Sequence, residues 1–483
     1  MLTSPEIHGS NTSGEIAKTA DVLILGAGLA GALAAYRIRK AFPELQVALF
    51  EQRESLEAVL ASGPTWSFHE TDVTPSQNAW LSPLLAGSWS SQDVVFPGFK
   101  RTLDCGYRSL RAETLYPRLL SMVPAIALHW GVRVVRLESD SIWTETGPEK
   151  IPRKFQEKDP EQVQEQVQVQ VQEKGQERGA KKEKWTARWI IDARGARSVS
   201  GEPAPKGGGN SCGYQKFVGL DLKLKAPHGL TRPVIMDASE QVAQLDGFRF
   251  FYVLPWDSHR LLIEDTRYSS NAVLESEVFE QEVLRYAEAQ GWLIEGIERR
   301  EKGVLPIPLF SEKTPVLAEA SRGRQGLMAL GMRSGSFHPT TGYSLPWTVR
   351  QIDQWVSERS LERDLLGEKP KREQGQSLPL ELPLRPRKWG FYTFLNRMLF
   401  LGTLGVEAQE SRVVNEARRA IMAIFYRKQS EKLISRFYSG TLTLRDCVRV
   451  LAIRPPIPVM RALQCARPYS AANLTKGIAW GEQ

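Results

Sequence analysis

The sequence predicts a mixed α/β fold in which an N-terminal βαβ unit is joined to a second, antiparallel sheet and to a basic helical C-terminal region. Three observations support this prediction. Residues 21–52 have the pattern strand, glycine turn, helix and strand, and residues 247–265 have the pattern of a hairpin. Residues 385–483 hold 17 Lys and Arg against 6 Asp and Glu. With 483 residues, the chain is long enough for about two or three structural units.

The predicted βαβ unit starts with an apolar run at residues 22–25. Residues 30–41 are mostly good helix formers, and Pro43 stops the helix after them. Residues 47–50 form a second apolar run, which ends at Glu51. A strand, a helix and a second strand in such close succession are typical of a βαβ unit with parallel strands.

Gly26, Gly28 and Gly31 form the pattern GxGxxG between the first strand and the helix. In this context the first glycine allows a tight turn, the second lets a pyrophosphate approach the backbone, and the third packs the helix against the strand. Glu51 lies 20 residues after Gly31, where its carboxylate would accept hydrogen bonds from the ribose of an adenosine. We therefore predict a dinucleotide site, with an ordinary glycine-rich turn as the alternative. The expected contacts are Gly26, Ala27, Gly28, Gly31 and Glu51.

FAD and NAD share this fingerprint, and the order of the later segments favours FAD. A strand and loop follow in mid-chain at residues 184–195, and residues 328–346 lead into a late helix. This order suits a Rossmann-like flavoprotein fold whose FAD-binding domain is assembled from separated segments. Backbone amides at the positive end of the late helix would favour an anionic reduced flavin. The expected contacts are Gly331, Thr341 and Gly342, and a capped loop is the alternative for residues 338–343.

The expected division of the chain follows from these patterns. The predicted parts are an FAD-binding domain from residues 20–149, 185–211 and 311–366, a low-complexity insertion at 150–184, a substrate-binding antiparallel sheet at 212–310, a linker at 367–388, and a helical, basic, membrane-facing region at 389–483. No chemistry is expected of the insertion, which is rich in Gln, Glu and Val.

The segment RLLIEDTRYS, residues 260–269, places two acids directly after an apolar run. Because successive side chains of a strand point to opposite faces, Glu264 shares a face with Leu262, and Asp265 shares the other with Ile263. A solvated strand end is the alternative. The preceding strand is rich in aromatic residues, and a carboxyl group among them loses hydration in its charged form. Its pKa then rises, and it becomes a usable general acid at neutral pH.

Nine segments in order along the chain resemble the bacterial lycopene β-cyclases, a family of flavin-dependent enzymes that cyclise carotenoids. These segments are GAGLAGALAA, TWSFHE, PHGLTRPVIMDAS, FRFFYVLP, RLLIEDTRYS, FHPTTGYSLP, FLNRMLFLG, LISRFYSGTLTLRDCVRVL and PPIPV. They run from about residue 20 to residue 465, leaving out the insertion and the linker. RLLIEDT and FHPTTGYSLP are specific to the resemblance, whereas GxGxxG is not.

The resemblance implies that reduced FAD is required although the reaction has no net redox change, with NAD(P)H as the expected reductant. Each acyclic ψ-end of lycopene would become a β-ionone ring, giving γ- or β-carotene. Glu264 would donate the proton and take one back, and Asp265 would orient Glu264 or the local backbone. A slip of one residue in strand register would exchange these two roles. The expected substrate contacts are His69, Phe248, Phe250, Tyr252 and His338, with core packing or a structural hydrogen bond as the alternative for each.

The composition indicates a cytoplasmic protein whose basic C-terminal region suits either nucleic acid or an anionic membrane surface, and the resemblance, which implies a substrate of the bilayer, favours peripheral association with a membrane. Residues 1–20 lack the features of a signal peptide, and no apolar stretch reaches the length of a transmembrane helix. Four cysteines without CxxC spacing fit a reducing compartment. Aromatic and basic residues alternate in residues 387–400, as expected of a helix at the lipid headgroups or of a helical cap on the enzyme. No recognised nucleic-acid-binding module is present, and no metal site is predicted.

Two other functions share these features. The first is a redox flavoenzyme, such as an FAD-dependent monooxygenase or an isoprenoid reductase that acts on a lipophilic substrate. The second is a non-catalytic carotenoid- or membrane-binding flavoprotein. Cyclisation leaves the mass of lycopene unchanged, hydroxylation adds oxygen and reduction adds hydrogen, so the product mass separates the first alternative from cyclisation. The second alternative predicts no turnover at all.

Overall fold

The computed structural model describes residues 18–122, 126–138, 140–146, 182–195, 212–309, 326–357, 388–400 and 412–453. The predicted insertion and linker lie outside these ranges except for residues 182–184 and 388. The N-terminal segment before residue 18 and the PPIPV segment also lie outside them.

The strands and helices of the described residues are as follows. The strands are β1 (Lys18–Leu25), β2 (Val47–Phe50), β3 (Trp66–His69), β4 (Leu85–Trp89), β5 (Gln92–Phe96), β6 (Phe99–Leu103), β7 (Tyr107–Leu110), β8 (Ile126–His129), β9 (Val132–Leu137), β10 (Ser141–Thr146), β11 (Lys182–Asp192), β12 (Cys212–Leu224), β13 (Val234–Asp237), β14 (Phe248–Pro255), β15 (Arg260–Ser269), β16 (Ile294–Pro308) and β17 (Leu327–Ala329). The α-helices are α1 (Leu29–Ala41), α2 (Leu56–Ser62), α3 (Pro75–Leu81), α4 (Ala112–Leu120), α5 (Ser276–Ala289), α6 (Leu345–Ser357), α7 (Trp389–Phe400), α8 (Arg412–Lys428), α9 (Glu431–Tyr438) and α10 (Leu444–Leu451).

The first large sheet has the order β8-β2-β1-β11-β10-β9, and β17 pairs with the C-terminal half of β11. The strands β8, β2, β1, β11 and β17 are parallel, whereas β10 and β9 form an antiparallel extension. The central strand β1 ends in four fully buried apolar residues, as expected of a parallel strand covered on both faces. Helices α1 and α6 pack against each other on one face. The predicted βαβ unit is present as β1, α1 and β2.

The second large sheet has the order β16-β12-β15-β14-β13-β5-β6 and is antiparallel except for the β5–β13 pair. The predicted hairpin is present as β14 and β15. Alternate residues of this hairpin enter two separate cores. Leu262 and Tyr268 pack on the face covered by the C-terminal helices, and Leu261 and Ile263 pack on the face covered by α5. The register therefore matches the faces predicted for the two acids.

The strands differ from the predicted division in two respects, the first being that β11 begins at Lys182, inside the predicted insertion. The expected first FAD-binding segment, residues 20–149, also contributes β5 and β6 to the second sheet. A third, small antiparallel sheet of β3, β7 and β4 belongs to the same stretch. Because β5 pairs with β13 from a distant part of the chain, its place in the sheet is set by long-range contacts that local patterning does not contain.

The C-terminal helices pack on the aromatic face of the second sheet. Leu399 and Phe400 of α7, Tyr426 of α8 and Ile434 of α9 belong to the same apolar core as β14 and β15. The helix predicted to lie at a membrane surface, α7, is therefore largely a cap on the enzyme, with Phe394 and Met398 exposed. Within the described residues, every helix falls short of the length and apolar character that crossing a membrane needs.

Candidate active site

A cleft of about 1000 Å³ runs between the first and second sheets. One end is formed by the glycine turn after β1 and by the residues that follow β2. The other end is formed by the middle of the second sheet and by the start of α6. Of the residues predicted for the site, the cleft brings together Gly26, Gly28, Glu51, Tyr252, Glu264 and Gly342.

The glycine turn leaves backbone exposed at the start of α1. Gly26 has a φ of +92°, which favours glycine, and a Cβ there would lie 3.0 Å from the carbonyl oxygen of Ala193. A Cβ at Gly28 would meet no atom within 4 Å, so this residue faces open space at the helix N-terminus. A Cβ at Gly31 would lie 2.0 Å from the carbonyl oxygen of Gly26, so Gly31 packs the helix onto the turn. The turn thus fits a pyrophosphate at Gly28.

Glu51 follows β2 and fixes the glycine turn. Its carboxylate accepts a hydrogen bond from the Ala27 amide at 2.9 Å and from Nε of Arg53 at 2.9 Å. Burial would raise the pKa of Glu51, but the hydrogen bonds and charge of Arg53 outweigh it and hold this pKa below its ordinary value. Arg53 also donates its amide to Oε1 and its Nη2 to Oε2, so a ribose hydroxyl would have to replace one of the Arg53 donors. Ala27 is buried beneath the turn, and its carbonyl accepts a hydrogen bond from Tyr116.

The backbone amides of the turn before α6 form hydrogen bonds within the turn, although the sequence predicts that they face a flavin. The amides of Thr341 and Gly342 donate to Nδ1 and to the carbonyl oxygen of His338, respectively. The Tyr343 amide donates to the Thr341 hydroxyl at 3.3 Å. These three amides already have partners. A ligand at this end of the helix would instead meet amides of the first turn of α6, which begins at Leu345, because such amides have no partner within the helix. Gly342 lines the large cleft, whereas Thr341 lines a small neighbouring cavity.

Gly331 lies behind the cleft rather than in its wall. It has a φ of +63°, and a Cβ there would lie 2.8 Å from Cβ of Ala30. Its amide donates to the side chain of Gln351 at 3.3 Å. Gly331 therefore allows close packing of its loop against α1.

Glu264 lies in the cleft wall and is 9% exposed. Burial raises the pKa of Glu264 to about 8, and the nearby carboxyl group of Glu301 adds to this rise. The hydroxyl of Thr266 donates a hydrogen bond to Oε1 of Glu264 at 2.5 Å. A carboxyl group with this pKa keeps its proton at neutral pH, as a general acid requires.

Asp265 lies on the opposite face and does not reach the cleft. Arg249 donates to both of its oxygens, at 2.9 and 3.0 Å. Arg267 donates to the same carboxylate at 2.7 Å. All three side chains are buried, and Arg249 also binds Glu282. Asp265 therefore anchors β15 to β14 and to α5, which fixes the direction in which Glu264 points.

Glu301 is a residue of the site that the sequence did not indicate. It lies on β16, and its Oε2 accepts hydrogen bonds from Arg299 at 2.8 Å and from the Thr65 amide at 2.7 Å. Arg299 also binds Asp221. The surrounding sequence IERREKG has the composition of a solvated strand, and only the alternation of Arg299 and Glu301 on one face could have signalled a buried pair.

His69 and His338 line the small cavity beside the cleft. Nδ1 of His69 contacts the side-chain amide of Gln92 at 2.8 Å, and Nε2 of His338 contacts the Phe437 carbonyl at 2.9 Å. Burial lowers the pKa of His69 to about 3 and that of His338 to about 4. Both rings are therefore neutral at physiological pH, and their contacts agree with the structural alternative for each.

The predicted aromatic contacts differ in their surroundings. Tyr252 lines the cleft, and its hydroxyl donates to Ser67 at 2.8 Å. Phe248 and Phe250 instead pack with Tyr268 in the apolar core beneath the C-terminal helices. Tyr343, which the sequence did not single out, also lines the cleft. The ring nearest to Glu264 across the β14–β15 pair is Tyr252, its direct cross-strand neighbour.

Comparisons with known proteins agree with this geometry. A model of the family described as "Lycopene cyclase protein" matches residues 21–149 and 149–464. The chain is 35% identical to the lycopene beta-cyclase of Pseudescherichia vulneris over 95% of this chain and 100% of the relative. It is 35% identical to the lycopene beta-cyclase of Pantoea ananas over 92% of this chain and 97% of the relative.

Among solved structures, the chain is similar to a geranylgeranyl bacteriochlorophyll reductase-like protein from Thermoplasma acidophilum. The TM-score is 0.50 at 14% identity, over 92% of this chain and 99% of that chain. At this identity the likeness concerns the fold alone, and it confirms the predicted Rossmann-like α/β class with a second sheet. The family model, which matches most of the length of the chain, and the relatives at 35% identity show that the chain belongs to the lycopene cyclase family.

Proposed function

We propose that this chain is a lycopene β-cyclase, which isomerises the acyclic ψ-ends of lycopene to β-ionone rings and so forms γ- or β-carotene. The observation that carries the proposal is the position of Glu264. It is a buried acid with a pKa of about 8, and it lines the same cleft as the glycine turn after β1. The family relatives named above support lycopene as the substrate.

Glu264 is proposed as both acid and base. Its proton adds to the terminal double bond of a ψ-end, and the internal double bond then closes the ring onto the resulting cation. The Glu264 carboxylate accepts the proton that leaves the ring, so the product is an isomer of the substrate. The hydrogen bond from Thr266 orients the carboxyl group for both transfers. Asp265, held by Arg249 and Arg267, keeps the strand register that presents Glu264 to the cleft.

The residues of the cleft fit FAD. Gly26 and Gly28 would hold the pyrophosphate at the start of α1, Glu51 the ribose, and Gly342 with the first turn of α6 the flavin end. We propose that residues 20–149, 185–211 and 311–366 supply the FAD-binding part. Reduced FAD, with NAD(P)H as the proposed source of its electrons, supplies when bound an electron-rich ring system that stabilises positive charge on a nearby substrate.

Side chains of the chain itself also protect a cation. Tyr252 and Tyr343 line the Glu264 end of the cleft; Tyr252 is buried and Tyr343 is partly buried, and loss of hydration raises both pKa values well above the ordinary value. Their rings therefore stay neutral and present aromatic faces, which attract positive charge. The same burial limits the access of water, which would quench the cation.

We propose that the enzyme works in the cytoplasm, docked on a membrane surface where lycopene dissolves. Leu444, Val448 and Leu451 form an exposed apolar stripe along α10, at the spacing of one helix face. Arg445 and Arg449 of the same helix are also exposed. An apolar stripe next to arginines is the pattern of a helix that lies on anionic lipid.

The test is to express the chain in a bacterium that accumulates lycopene and to identify the pigment by chromatography and mass spectrometry. We expect a pigment of unchanged mass and shorter-wavelength absorption. A product with added oxygen or hydrogen would instead identify a redox flavoenzyme. Unconverted lycopene that co-purifies with the protein would identify a non-catalytic binding protein.

A further inference from the structure

Three strands of the second sheet place two acids on one face with a glycine between them. Gly219 of β12 pairs with Glu264 of β15 on one side and with Glu301 of β16 on the other. Residues directly opposite each other in a sheet point to the same face. Because neighbouring strands are about 4.8 Å apart, the backbones of the two acids lie about 10 Å apart. The middle position of this row carries no side chain.

The side chain of Glu301 occupies the space above Gly219. A Cβ built on Gly219 would lie 2.9 Å from Cγ and 3.2 Å from Oε1 of Glu301. The same Cβ would lie 3.0 Å from the Leu262 side chain of β15. Glu301 thus leans over β12 in the direction of β15, and any residue larger than glycine at position 219 would push it away.

Glu301 is held in this position by two donors. Arg299 and the Thr65 amide both bind its Oε2, at 2.8 and 2.7 Å. Arg299 is fixed in turn by Asp221, which also binds Arg111. Burial raises the pKa of Glu301, while the charge of Arg299 opposes this rise. Arg299 binds Glu301 directly, whereas Glu264 accepts a hydrogen bond from the uncharged Thr266, so negative charge is better stabilised on Glu301 than on Glu264.

We propose that Glu301 is a positioning residue, which keeps the reactive proton on Glu264 by presenting a fixed carboxylate to it across Gly219. The inference rests on the proposed function, in which Glu264 is the acid. Glu301 lies outside the cleft lining, so it acts through Glu264 and not on the substrate. Two carboxyl groups at one site cannot both ionise at neutral pH, and the partner bound to arginine is the one that carries the charge.

Several other charged or titratable groups lie close enough to influence Glu264, and the test must leave them in place. They are Tyr252 of β14, Tyr343 before α6, Arg299 of β16, Lys302 in the cleft wall and Asp265 on the other face of β15. Glu301 differs from them because it is the nearby group whose negative charge contributes most to the raised pKa of Glu264.

The test measures the protonation of Glu264 without relying on turnover. The infrared carbonyl band of a protonated carboxylic acid is followed against pH in the purified flavoprotein and is assigned to Glu264 by its loss in Glu264→Gln. We expect Glu301→Gln to lower the midpoint of this band by roughly one pH unit or more, since a neighbouring negative charge is removed. The alkaline limb of the cyclisation rate should move to lower pH by the same amount. Glu301→Asp, which keeps the charge, should restore most of the midpoint.

Two further variants control for indirect effects. Glu295→Gln removes an exposed acid of the same strand, paired with Lys223, and should leave the midpoint unchanged. Gly219→Ala displaces Glu301 without removing it and should lower the midpoint, which decides the matter if Glu301→Gln fails to fold. A folded Glu301→Gln or Gly219→Ala protein with the wild-type midpoint would overturn the inference. If the midpoint moves as expected but the wild type forms no cyclic product, the proposed function fails and the coupling of the two acids stands.

Discussion

Glu264 and Asp265 are adjacent in the chain but lie on opposite faces of β15, so that Glu264 borders the cleft while Asp265 is enclosed by Arg249 and Arg267. Their surroundings give the two carboxyl groups opposite properties. Among the described residues no cation contacts Glu264 directly, and Glu264 holds a proton, whereas Asp265 accepts charge-assisted hydrogen bonds on both oxygens. Glu264 is therefore suited to proton transfer, and Asp265 to holding the strands together.

Asp265→Asn should destabilise the fold far more than Glu264→Gln does. The first change leaves two buried arginine charges without their main partner, which costs about 3–5 kcal/mol. The second replaces a neutral acid by a neutral amide of similar shape; it should cost less than about 1 kcal/mol below pH 4.5 and should stabilise the protein at neutral pH. Urea unfolding of both variants gives the two values. Equal losses of stability would contradict the assignment of the two faces.

The stability of the protein should depend on pH through Glu264. Its folded-state pKa of about 8 lies above the ordinary 4.5, so its contribution is fully present below pH 4.5 and is lost as the pH rises through 8. Between these limits the free energy of unfolding should fall by up to about 1.4 kcal/mol per pH unit from this residue. Glu264→Gln should remove that slope, and its stability relative to the wild type should increase with pH. Parallel pH curves for the two proteins would be inconsistent with a buried proton on Glu264.

Gly28 and Gly31, two glycines of the same motif, should respond differently to substitution by alanine. Gly28→Ala places a methyl group in open space, so the protein should fold normally but bind FAD at least about tenfold more weakly, because the methyl takes the place of the pyrophosphate. Gly31→Ala drives a methyl group into the Gly26 carbonyl and should lower the melting temperature. Flavin absorbance of the purified proteins and thermal unfolding separate the two effects. Normal FAD affinity in Gly28→Ala would place the cofactor elsewhere.

The apolar stripe on α10 should determine binding to lipid. Replacing Val448 and Leu451 by serine removes apolar surface from an exposed helix face without touching the core, and should weaken binding to anionic vesicles by about tenfold or more. Val273→Ser, at an exposed position next to α5, is the matched control and should bind like the wild type. Co-sedimentation with vesicles measures both. Equal binding of all three proteins would exclude this helix from the lipid contact.

The sequence was most informative where local patterning and chemistry coincide. The glycine turn, Glu51 and the faces of Glu264 and Asp265 follow from strand periodicity and from a motif whose spacing has a mechanical reason. The structure places each of them as the periodicity requires, because a one-residue slip in β15 would bury Glu264 among the residues of the other core.

Other parts of the site depend on contacts between distant segments. Glu301 lies in a highly charged stretch, and only its pairing through β12 brings it near Glu264. The pairing of β5 with β13 likewise joins residues far apart in the chain. The positions of the aromatic residues of β14 could likewise be predicted only in part. Their alternation predicts two faces, but it could not predict that Tyr252 borders the cleft while Phe248 lies under the C-terminal helices.

The most direct test of the account is cyclisation in deuterated water with the flavin chemically reduced. The carboxyl group of Glu264 borders the cleft and exchanges the proton it has taken from the ring with solvent before the next turnover, so the wild type should place one deuterium on carbon for each ring formed, read by mass spectrometry of the carotenoid. Glu264→Gln should retain FAD and form no ring. An unlabelled cyclic product from the wild type, or labelled product from Glu264→Gln at the wild-type rate, would contradict the claim that this residue delivers the proton.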